Sequence, residues 1–355
     1  SFGNSYISEE YNYLKIEGIN ANQQILVGNI GVLRLAAISA LNNLNNPSNN
    51  RKNIVLINNI KVTSDMGCVN DIEFKPTDVY NFDVIEEITN VNIDGNNQSI
   101  SGIKIGSNSI PFEIDKQYFG IFTTIRNCDI ANLILSEGNV IVNTEEANNY
   151  YVGTLAGRLD GVVLNNVKNL GMNVKAQSSR TIYVGGISGY VSSSTIQDVT
   201  NSASVVSTTL EKSENICYAG GLFGLQEDTF VTKCDNQGAI IAGSNSATNA
   251  FSAGITADVK DNRRTSNIEN CINFGLVTSL VQDFEAITNE YTDLDLNGGI
   301  IEFSKNIEIY VQDEYALYYT GLDISAGSDK GFTSLKNIGS AYENATEPLQ
   351  TLEQM

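Results

Sequence analysis

The sequence predicts an all-β protein, a right-handed parallel β-helix (a solenoid) with an N-terminal capping helix and an irregular C-terminal cap. Its composition is the first reason: Asn, Ser, Thr and 30 Gly accompany only 4 Pro and no Trp. Asn and Gly tolerate the positive φ of tight turns, whereas Ile, Val and Tyr suit strands. Hydrophobic residues make up 41% of the 355 residues and charged residues 17%, which is enough apolar material for a core.

A motif that recurs at nearly constant intervals is the second reason. It consists of an aromatic residue, a small or apolar residue, glycines and an aliphatic residue. Its successive aromatic residues are 33, 32, 35 and 33 positions apart. The copies begin at Tyr118 (YFGIF), Tyr151 (YVGTLAG), Tyr183 (YVGGISG), Tyr218 (YAGGLFG) and Phe251 (FSAGI).

These repeated positions are predicted to be structural. The tyrosines would stack as a ladder from coil to coil, and small residues would occupy the corners at Gly153, Gly185, Gly186, Gly220 and Gly221. The alternative is that the tyrosines form an exposed platform on which sugar rings stack, because aromatic faces suit pyranose rings.

A segment that alternates apolar with polar residues follows each copy of the motif, and this is the third reason. The segments begin at Ile125, Val162, Thr195, Phe230 and Ser266. Such alternation is typical of strands with one buried face. We expect three short strands, joined by turns, to fill one coil of this length.

The YVGG-like segments followed by an I-x-N-C element resemble the GLUG motif over about residues 118–280. That repeat occurs in bacterial surface proteins and in the non-catalytic β-helical region of proteins similar to M26 IgA peptidases. The resemblance also covers a preceding helix and a DGNGHTISGL-like element, matched here by Asp94, Gly95, Asn96, Ile100, Ser101 and Gly102. It implies a β-helix from a secreted or cell-surface protein.

Three regions follow from these patterns. Residues 1–52 form an N-terminal cap that includes a helix at about 32–46, where Leu33, Ala36 and Ala37 have helical spacing and Pro47 lies just beyond. Residues 53–280 form the parallel β-helix. Residues 281–355, where the motif becomes irregular, form the last coils and a C-terminal cap or tail. Because the chain begins at Ser1, it is interpreted as a processed or excised part of a longer precursor.

One segment suggests a ligand. Asp293, Asp295 and Asn297, followed by Gly298, spell D-x-D-x-N-G, the opening of a calcium loop in which alternate oxygens converge on the cation. The position of the closing Glu is Ser304, and DLDL is equally an alternating strand. No cofactor is therefore expected, with Ca²⁺ as the single alternative.

Charge and residue types exclude several functions. A net charge of −20 argues against binding to nucleic acid, and no apolar stretch predicts a membrane span. The absence of His removes Ser-His-Asp, Cys-His and HExxH chemistry. Five widely spaced cysteines fit neither a disulfide framework nor a CxxC site, and Cys128, Cys234 and Cys271 are predicted to form one inward-facing stack.

The leading functional hypothesis is a non-catalytic secreted or cell-surface adhesin or structural module that binds an extracellular protein or glycan. A second hypothesis is a polysaccharide-active β-helix enzyme that uses carboxylates. Its candidate groups are Arg158 with Asp160, and Asp258 with Asp261, Arg263 and Arg264, all placed in predicted turns. A third is a subunit that self-associates into fibres, and a fourth is an accessory region of a larger protease.

Overall fold

The fold is described from a computed structural model of the chain. It describes residues 24–31, 33, 36–37, 51–62, 80–144, 149–209, 215–244, 250–260 and 267–281, together with the strands at 308–310, 332–333 and 336–337.

The described residues form a parallel β-solenoid, as the sequence predicts. Successive coils stack so that equivalent strands pair in parallel, with Tyr151 opposite Tyr118 and Tyr183, and Tyr218 opposite Phe251. The repeat interval of the motif is therefore the length of one coil. Each full coil contributes five short strands to five sheets, not the three strands expected, because residues with positive φ and close-packed glycines interrupt the alternating segments.

The five sheets are numbered in the order in which one coil visits them. Sheet 1 contains Tyr118–Phe119, Tyr150–Gly153, Ile182–Gly185, Cys217–Gly220 and Ala250–Ala253. Sheet 2 contains Ile85–Thr89, Phe122–Arg126, Ala156–Asp160, Ser188–Ser192, Phe223–Glu227 and Thr256–Lys260. Sheet 3 contains Gln24–Val27, Lys52–Leu56, Val91–Asp94, Asp129–Ala131, Val163–Asn165, Thr195–Gln197, Phe230–Thr232, Asn267–Glu269 and Phe332–Thr333.

Sheets 4 and 5 complete the coil. Sheet 4 contains Ile60–Lys61, Ser99–Ser101, Ile134–Ser136, Lys168–Asn169, Thr200–Asn201, Asp235–Asn236, Ile272–Asn273 and Lys336–Asn337. Sheet 5 contains Lys104–Ile105, Phe112–Glu113, Gly138–Thr144, Met172–Ser178, Val205–Thr209, Ile240–Ser244 and Val277–Val281, with Glu308–Tyr310 added antiparallel at its end.

The main core runs along the inside of the coils. Aliphatic side chains of equivalent strands lie above one another, as at Leu164 and Ile196 in sheet 3, both fully buried. A second apolar cluster, centred on Tyr151, Tyr183 and Tyr218, is separate from this core. Adjacent residues of one strand therefore belong to different clusters. Tyr150 and Val152 belong to the main core, and Tyr151 belongs to the second apolar cluster.

The corners of the coils account for many of the asparagines. Asn132, Asn166 and Asp198 adopt positive φ between sheets 3 and 4 in successive coils. Asn90, Asn127 and Gly161 do so between sheets 2 and 3. The left-handed conformation is one that Asn, Asp and Gly tolerate better than other residues, so the composition follows from two such corners in each coil.

Helical residues lie at the N-terminal end. Ile30, Gly31, Leu33, Ala36 and Ala37 are helical, and all except Gly31 are buried against the main core. The rest of the predicted helix at 32–46 lies outside the described residues, as does most of 281–355. In the part of the chain that is described, no helix is long and apolar enough to cross a membrane.

Candidate functional site

The tyrosines of the repeated motif form a continuous stack. Ring centroids are 5.3 Å apart between Tyr118 and Tyr151, 5.0 Å between Tyr151 and Tyr183, and 4.4 Å between Tyr183 and Tyr218. Phe251 continues the stack at 5.5 Å. Tyr183 and Tyr218 are each only 6% exposed. Because the rings cover one another's faces, the stack does not offer those faces to sugar rings.

Glycines of the motif are required by close backbone packing where sheet 1 turns into sheet 2, both within one coil and between neighbouring coils. A Cβ on Gly185 would lie 2.1 Å from the carbonyl oxygen of Ser188, and one on Gly220 would lie 1.8 Å from that of Phe223. Gly153 is equally confined, since its Cβ would lie 2.4 Å from the Cα of Ser188. A side chain at any of these positions would force the backbone apart.

A buried asparagine ladder lies beside Gly186 and Gly221. Nδ2 of Asn169 donates to Oδ1 of Asn201 at 3.1 Å, Asn201 donates to Asn236 at 2.9 Å, and Asn236 donates to Asn273 at 2.8 Å. A Cβ on Gly186 would lie 2.6 Å from Cγ of Asn201. Sequence reasoning missed this ladder. The signal was present in the sequence as an Asn at the equivalent position of four successive coils.

The four described cysteines are buried free thiols. Cys234 and Cys271 stack in adjacent coils immediately before paired strands of sheet 4. Cys128 does not join them, because it precedes a strand of sheet 3 instead. The prediction of one three-member stack is therefore wrong for Cys128, which occupies an earlier corner of the coil. Burial raises the pKa of Cys128 to about 11 and that of Cys217 to about 12.

A charged network borders the tyrosine stack on sheet 2. Asp160 accepts hydrogen bonds from Nε of Arg126 at 3.3 Å, Nη2 of Arg158 at 3.1 Å and Oγ of Ser192 at 3.0 Å. The Arg158 guanidinium lies 5.6 Å from the Tyr118 ring centroid and 5.3 Å from that of Tyr190. These are cation–π distances, so Arg158 joins the network to the aromatic stack.

Other polar groups continue along the same sheet. The Tyr190 hydroxyl donates to Oε2 of Glu227 at 2.5 Å, and burial together with this bond raises the pKa of Tyr190. Burial also raises the pKa of Asp258. The prediction that Arg158, Asp160 and Asp258 lie in turns is wrong: all three are in strands of sheet 2. Asp261, Arg263 and Arg264 lie outside the described residues.

An uncharged surface occupies the outer side of sheet 3 in three successive coils. Its six residues face away from the core in two rows, with Thr195 paired between Val163 and Phe230 in one row and Gln197 between Asn165 and Thr232 in the other. Val163 is 42% exposed and Phe230 is 50% exposed. Asp129 and Glu269 bound the surface at its two ends. We call these six residues the sheet 3 patch.

The predicted calcium ligands Asp293, Asp295 and Asn297 lie outside the described residues. Within the described ranges, no group of three or more His, Cys, Asp or Glu side chains is placed to hold a metal ion.

Successive coils whose strands pair in five parallel sheets, joined by a tyrosine ladder and a buried asparagine ladder, define a parallel β-solenoid. No family model and no curated protein matches the chain. Among solved structures it is similar to a crystal structure described as a "putative immunoglobulin A1 protease" from Bacteroides ovatus, at 11% identity and a TM-score of 0.36 over 88% of this chain and 85% of that one. At this TM-score the likeness carries no argument about function. The resemblance to GLUG repeats therefore depends on the motif residues themselves.

Proposed function

We propose that this chain is a non-catalytic β-solenoid module of a secreted or cell-surface protein, which presents a binding surface to an extracellular protein or glycan. The sheet 3 patch is the observation that carries the proposal. On a chain with net charge −20, six neighbouring solvent-facing positions hold no charged residue, and two of them are exposed hydrophobic side chains. Depletion of charge around an exposed aromatic residue is typical of interface centres.

The chemistry of the patch suits both kinds of ligand. The exposed Phe230 ring can stack on a sugar or fill a hollow in a protein surface. Amides at Asn165 and Gln197 and hydroxyls at Thr195 and Thr232 give the rest of the patch groups that both donate and accept hydrogen bonds. A rigid stack of coils fixes the spacing of these groups, which lowers the entropy cost of binding.

An array of glycans and extracellular-matrix proteins tests the proposal. The purified chain is applied with Ca²⁺ and, separately, with chelator. We expect saturable binding to one ligand class that Phe230→Ala weakens at least about tenfold. Phe274→Ala is the matched control, because Phe274 is similarly exposed at 47% but lies outside the patch. Equal binding by the wild type and both variants, or no binding to any ligand, would overturn the proposal.

The chelator arm addresses the predicted calcium segment. Loss of binding on chelation, reproduced by an Asp293→Asn and Asp295→Asn double variant, would identify those carboxylates as ligands. Binding that survives chelation would leave the patch independent of Ca²⁺ and would remove Ca²⁺ from the proposal.

A polysaccharide-active enzyme is the second candidate, and one observation favours it. Asp160 and Glu227 occupy the same row of sheet 2, separated by Ser192. Two strand spacings place their backbones about 9–10 Å apart, close to the upper end of the carboxylate separation in inverting glycosidases. However, Asp160 is held by two arginines and Ser192, and Glu227 accepts from Tyr190. Such fixed partners suit a structural role.

Turnover decides between the two candidates. Release of reducing ends from neutral and acidic polysaccharides, abolished by Asp160→Asn and by Glu227→Gln, would establish the enzyme. We expect no release above the rate measured with heat-denatured chain.

A further inference from the structure

Two cysteines occupy equivalent positions in adjacent coils. Cys234 precedes Asp235–Asn236 and Cys271 precedes Ile272–Asn273, and these two strands of sheet 4 pair in register. The backbone N–H of Ile272 donates to the carbonyl oxygen of Cys234 at 3.0 Å. Paired strands lie about 4.8 Å apart, so the Cα atoms of the two cysteines fall within the separation of about 4.4–6.8 Å that a disulfide bridges.

The corner before each cysteine directs both thiols into the solenoid. Lys233 and Asn270, the residues just before them, have the same φ of 54°. Both cysteines are buried, and each thiol donates to the carbonyl oxygen of the residue two positions earlier, at 3.2 Å from Cys234 and 3.3 Å from Cys271. The same local geometry in both coils therefore places one sulfur above the other.

The two thiols also affect each other's ionisation. A hydrogen bond with the Cys234 thiol is the main reason that the pKa of Cys271 is lowered from its usual value. Burial raises the pKa of Cys234, and the contact with Cys271 raises it further. The thiolate therefore forms more readily on Cys271 than on Cys234. Because the thiolate is the species that attacks a disulfide, Cys271 is the sulfur that starts thiol–disulfide exchange.

No other pair among the four described cysteines shares this arrangement. Cys217 lies in a strand of sheet 1, and Cys128 precedes a strand of sheet 3. At the position of Cys234, the three preceding coils carry buried aliphatic residues, namely Leu133, Val167 and Val199. This row therefore changes to cysteine in two adjacent coils at once, which is the arrangement that a disulfide between coils needs.

The two coils concerned begin at Cys217–Gly220 and Ala250–Ala253, and they are the last two in which strands of all five sheets are described. Beyond them, described parallel pairing continues only at Phe332–Thr333 and Lys336–Asn337. The coil that contains Cys271 therefore ends the run of complete coils in the described ranges. A coil with a complete neighbour on one side only opens more readily than an inner coil.

We infer that Cys234 and Cys271 form a disulfide that joins these two coils when the chain folds in the presence of a small-molecule disulfide such as oxidised glutathione. The Cys271 thiolate attacks one sulfur of the oxidant and releases the first glutathione thiolate. The Cys234 thiol then loses its proton, attacks the Cys271 sulfur and releases the second. Two cysteine thiols are thereby oxidised to one disulfide, and the two glutathione thiolates take up the two protons.

The bond would oppose opening of the coil that contains Cys271, because that coil could no longer separate from its neighbour at the corner between sheets 3 and 4. The inference is independent of the adhesive role, since a stabilised solenoid serves either a binding module or an enzyme.

Refolding of the reduced, urea-denatured full chain in a mixture of reduced and oxidised glutathione tests the inference. Thiol counting in urea measures the extent of oxidation, and peptide mapping by mass spectrometry locates the bond. We expect the count to fall from the five thiols of the sequence by two, with a single linked peptide pair that contains Cys234 and Cys271. Retention of all five thiols, a bond between other cysteines or a mixture of pairings would overturn the inference.

Two variants separate this bond from unspecific oxidation. Cys234→Ala leaves Cys271 without its partner, so we expect no disulfide after the same refolding. Cys217→Ala is the matched control, because it also removes a buried thiol but leaves the pair intact, and it should form the bond as the wild type does. Circular dichroism checks that both variants fold. Equal loss of thiols in the two variants would contradict the inference.

Urea denaturation tests the effect of the bond on the coils. We expect the midpoint of the oxidised wild type to lie at least about 0.5 M above that of the reduced wild type. The midpoint of Cys234→Ala should be the same with reduced and with oxidised glutathione. An unchanged or lowered midpoint in the oxidised wild type would contradict the role of the bond in holding the two coils together.

Discussion

Tyr183 and Tyr218 stack with ring centroids 4.4 Å apart and ring planes 1° apart. They occupy paired positions in adjacent coils, so the 35-residue interval between them is the length of one coil. The contact lies outside the main core, in a second apolar cluster that both tyrosines share with Leu225 and Ala257. The tyrosine ladder therefore holds adjacent coils together outside the main core.

Removing one ring from this ladder should destabilise the protein substantially. We expect Tyr183→Ala to lower the free energy of unfolding by about 3–5 kcal/mol, because it removes a buried aromatic side chain from between two others. Tyr183→Phe retains the ring and should cost less than about 1.5 kcal/mol. Urea denaturation measures both. A small effect of the alanine variant would mean that the ladder contributes little.

The buried asparagine ladder should be equally sensitive. Asn201 accepts from Asn169 and donates to Asn236 and to the carbonyl oxygen of Ala203. We expect Asn201→Ala to cost about 2–4 kcal/mol, because buried partners lose their hydrogen bonds. Asn165→Ala on the exposed side of sheet 3 is the control and should change the free energy of unfolding by less than about 0.5 kcal/mol. Similar urea midpoints for the two variants would contradict a stabilising role for the asparagine ladder.

The beginning of the sheet 2 strand Ser188–Ser192 should not tolerate a methyl group at Gly189. A Cβ on Gly189 would lie 2.3 Å from the backbone nitrogen of Val152 in the preceding coil. We expect Gly189→Ala to cost about 1–3 kcal/mol or more through this overlap. At Gly31 the nearest atom to an added Cβ is 3.3 Å away and the residue is helical, so Gly31→Ala should be neutral or stabilising. Thermal denaturation of the pair tests the difference.

Thiol chemistry should report the burial of the cysteines. Burial raises the pKa of Cys217 from 9.0 to about 12, so the folded state favours the neutral thiol. The shifted pKa of Cys217 stabilises the folded state fully below about pH 9, and this stabilisation is lost as the pH rises from 9 towards 12. Because the four cysteines in the described ranges are buried, a Cys68→Ser variant should react with iodoacetamide at pH 8 only after denaturation. Rapid labelling of the folded variant would show that at least one of the remaining thiols is accessible.

Sequence reasoning identified the repeat and the register of the coils because Tyr118, Tyr151, Tyr183 and Tyr218 mark the same point in each coil. It expected three strands per coil because alternation of apolar and polar residues continues across the corners. Asn132 and Asn166 adopt positive φ there and divide each segment into two strands. That division depends on backbone conformation, which alternation alone does not encode.

The sites were harder to predict. Asn is a turn residue by propensity, and only the stacking of coils shows that Asn201 and Asn236 are buried. Cys128 resembles Cys234 locally, yet it precedes a different sheet. Arg158 was assigned to a turn, where charged residues are usually solvated, whereas its place in sheet 2 is fixed by pairing with Tyr190 in the next coil.

The most direct test of the account is deletion of one whole coil, residues 182–216, followed by urea denaturation monitored by circular dichroism. Because Ile182 and Cys217 occupy paired positions, the deletion joins Thr181 to Cys217 and leaves every ladder in register. We predict a folded variant with one cooperative transition, whereas deletion of residues 182–198, about half a coil, should abolish it. Loss of the cooperative transition in both variants would contradict the claim that one coil is the structural unit of this solenoid.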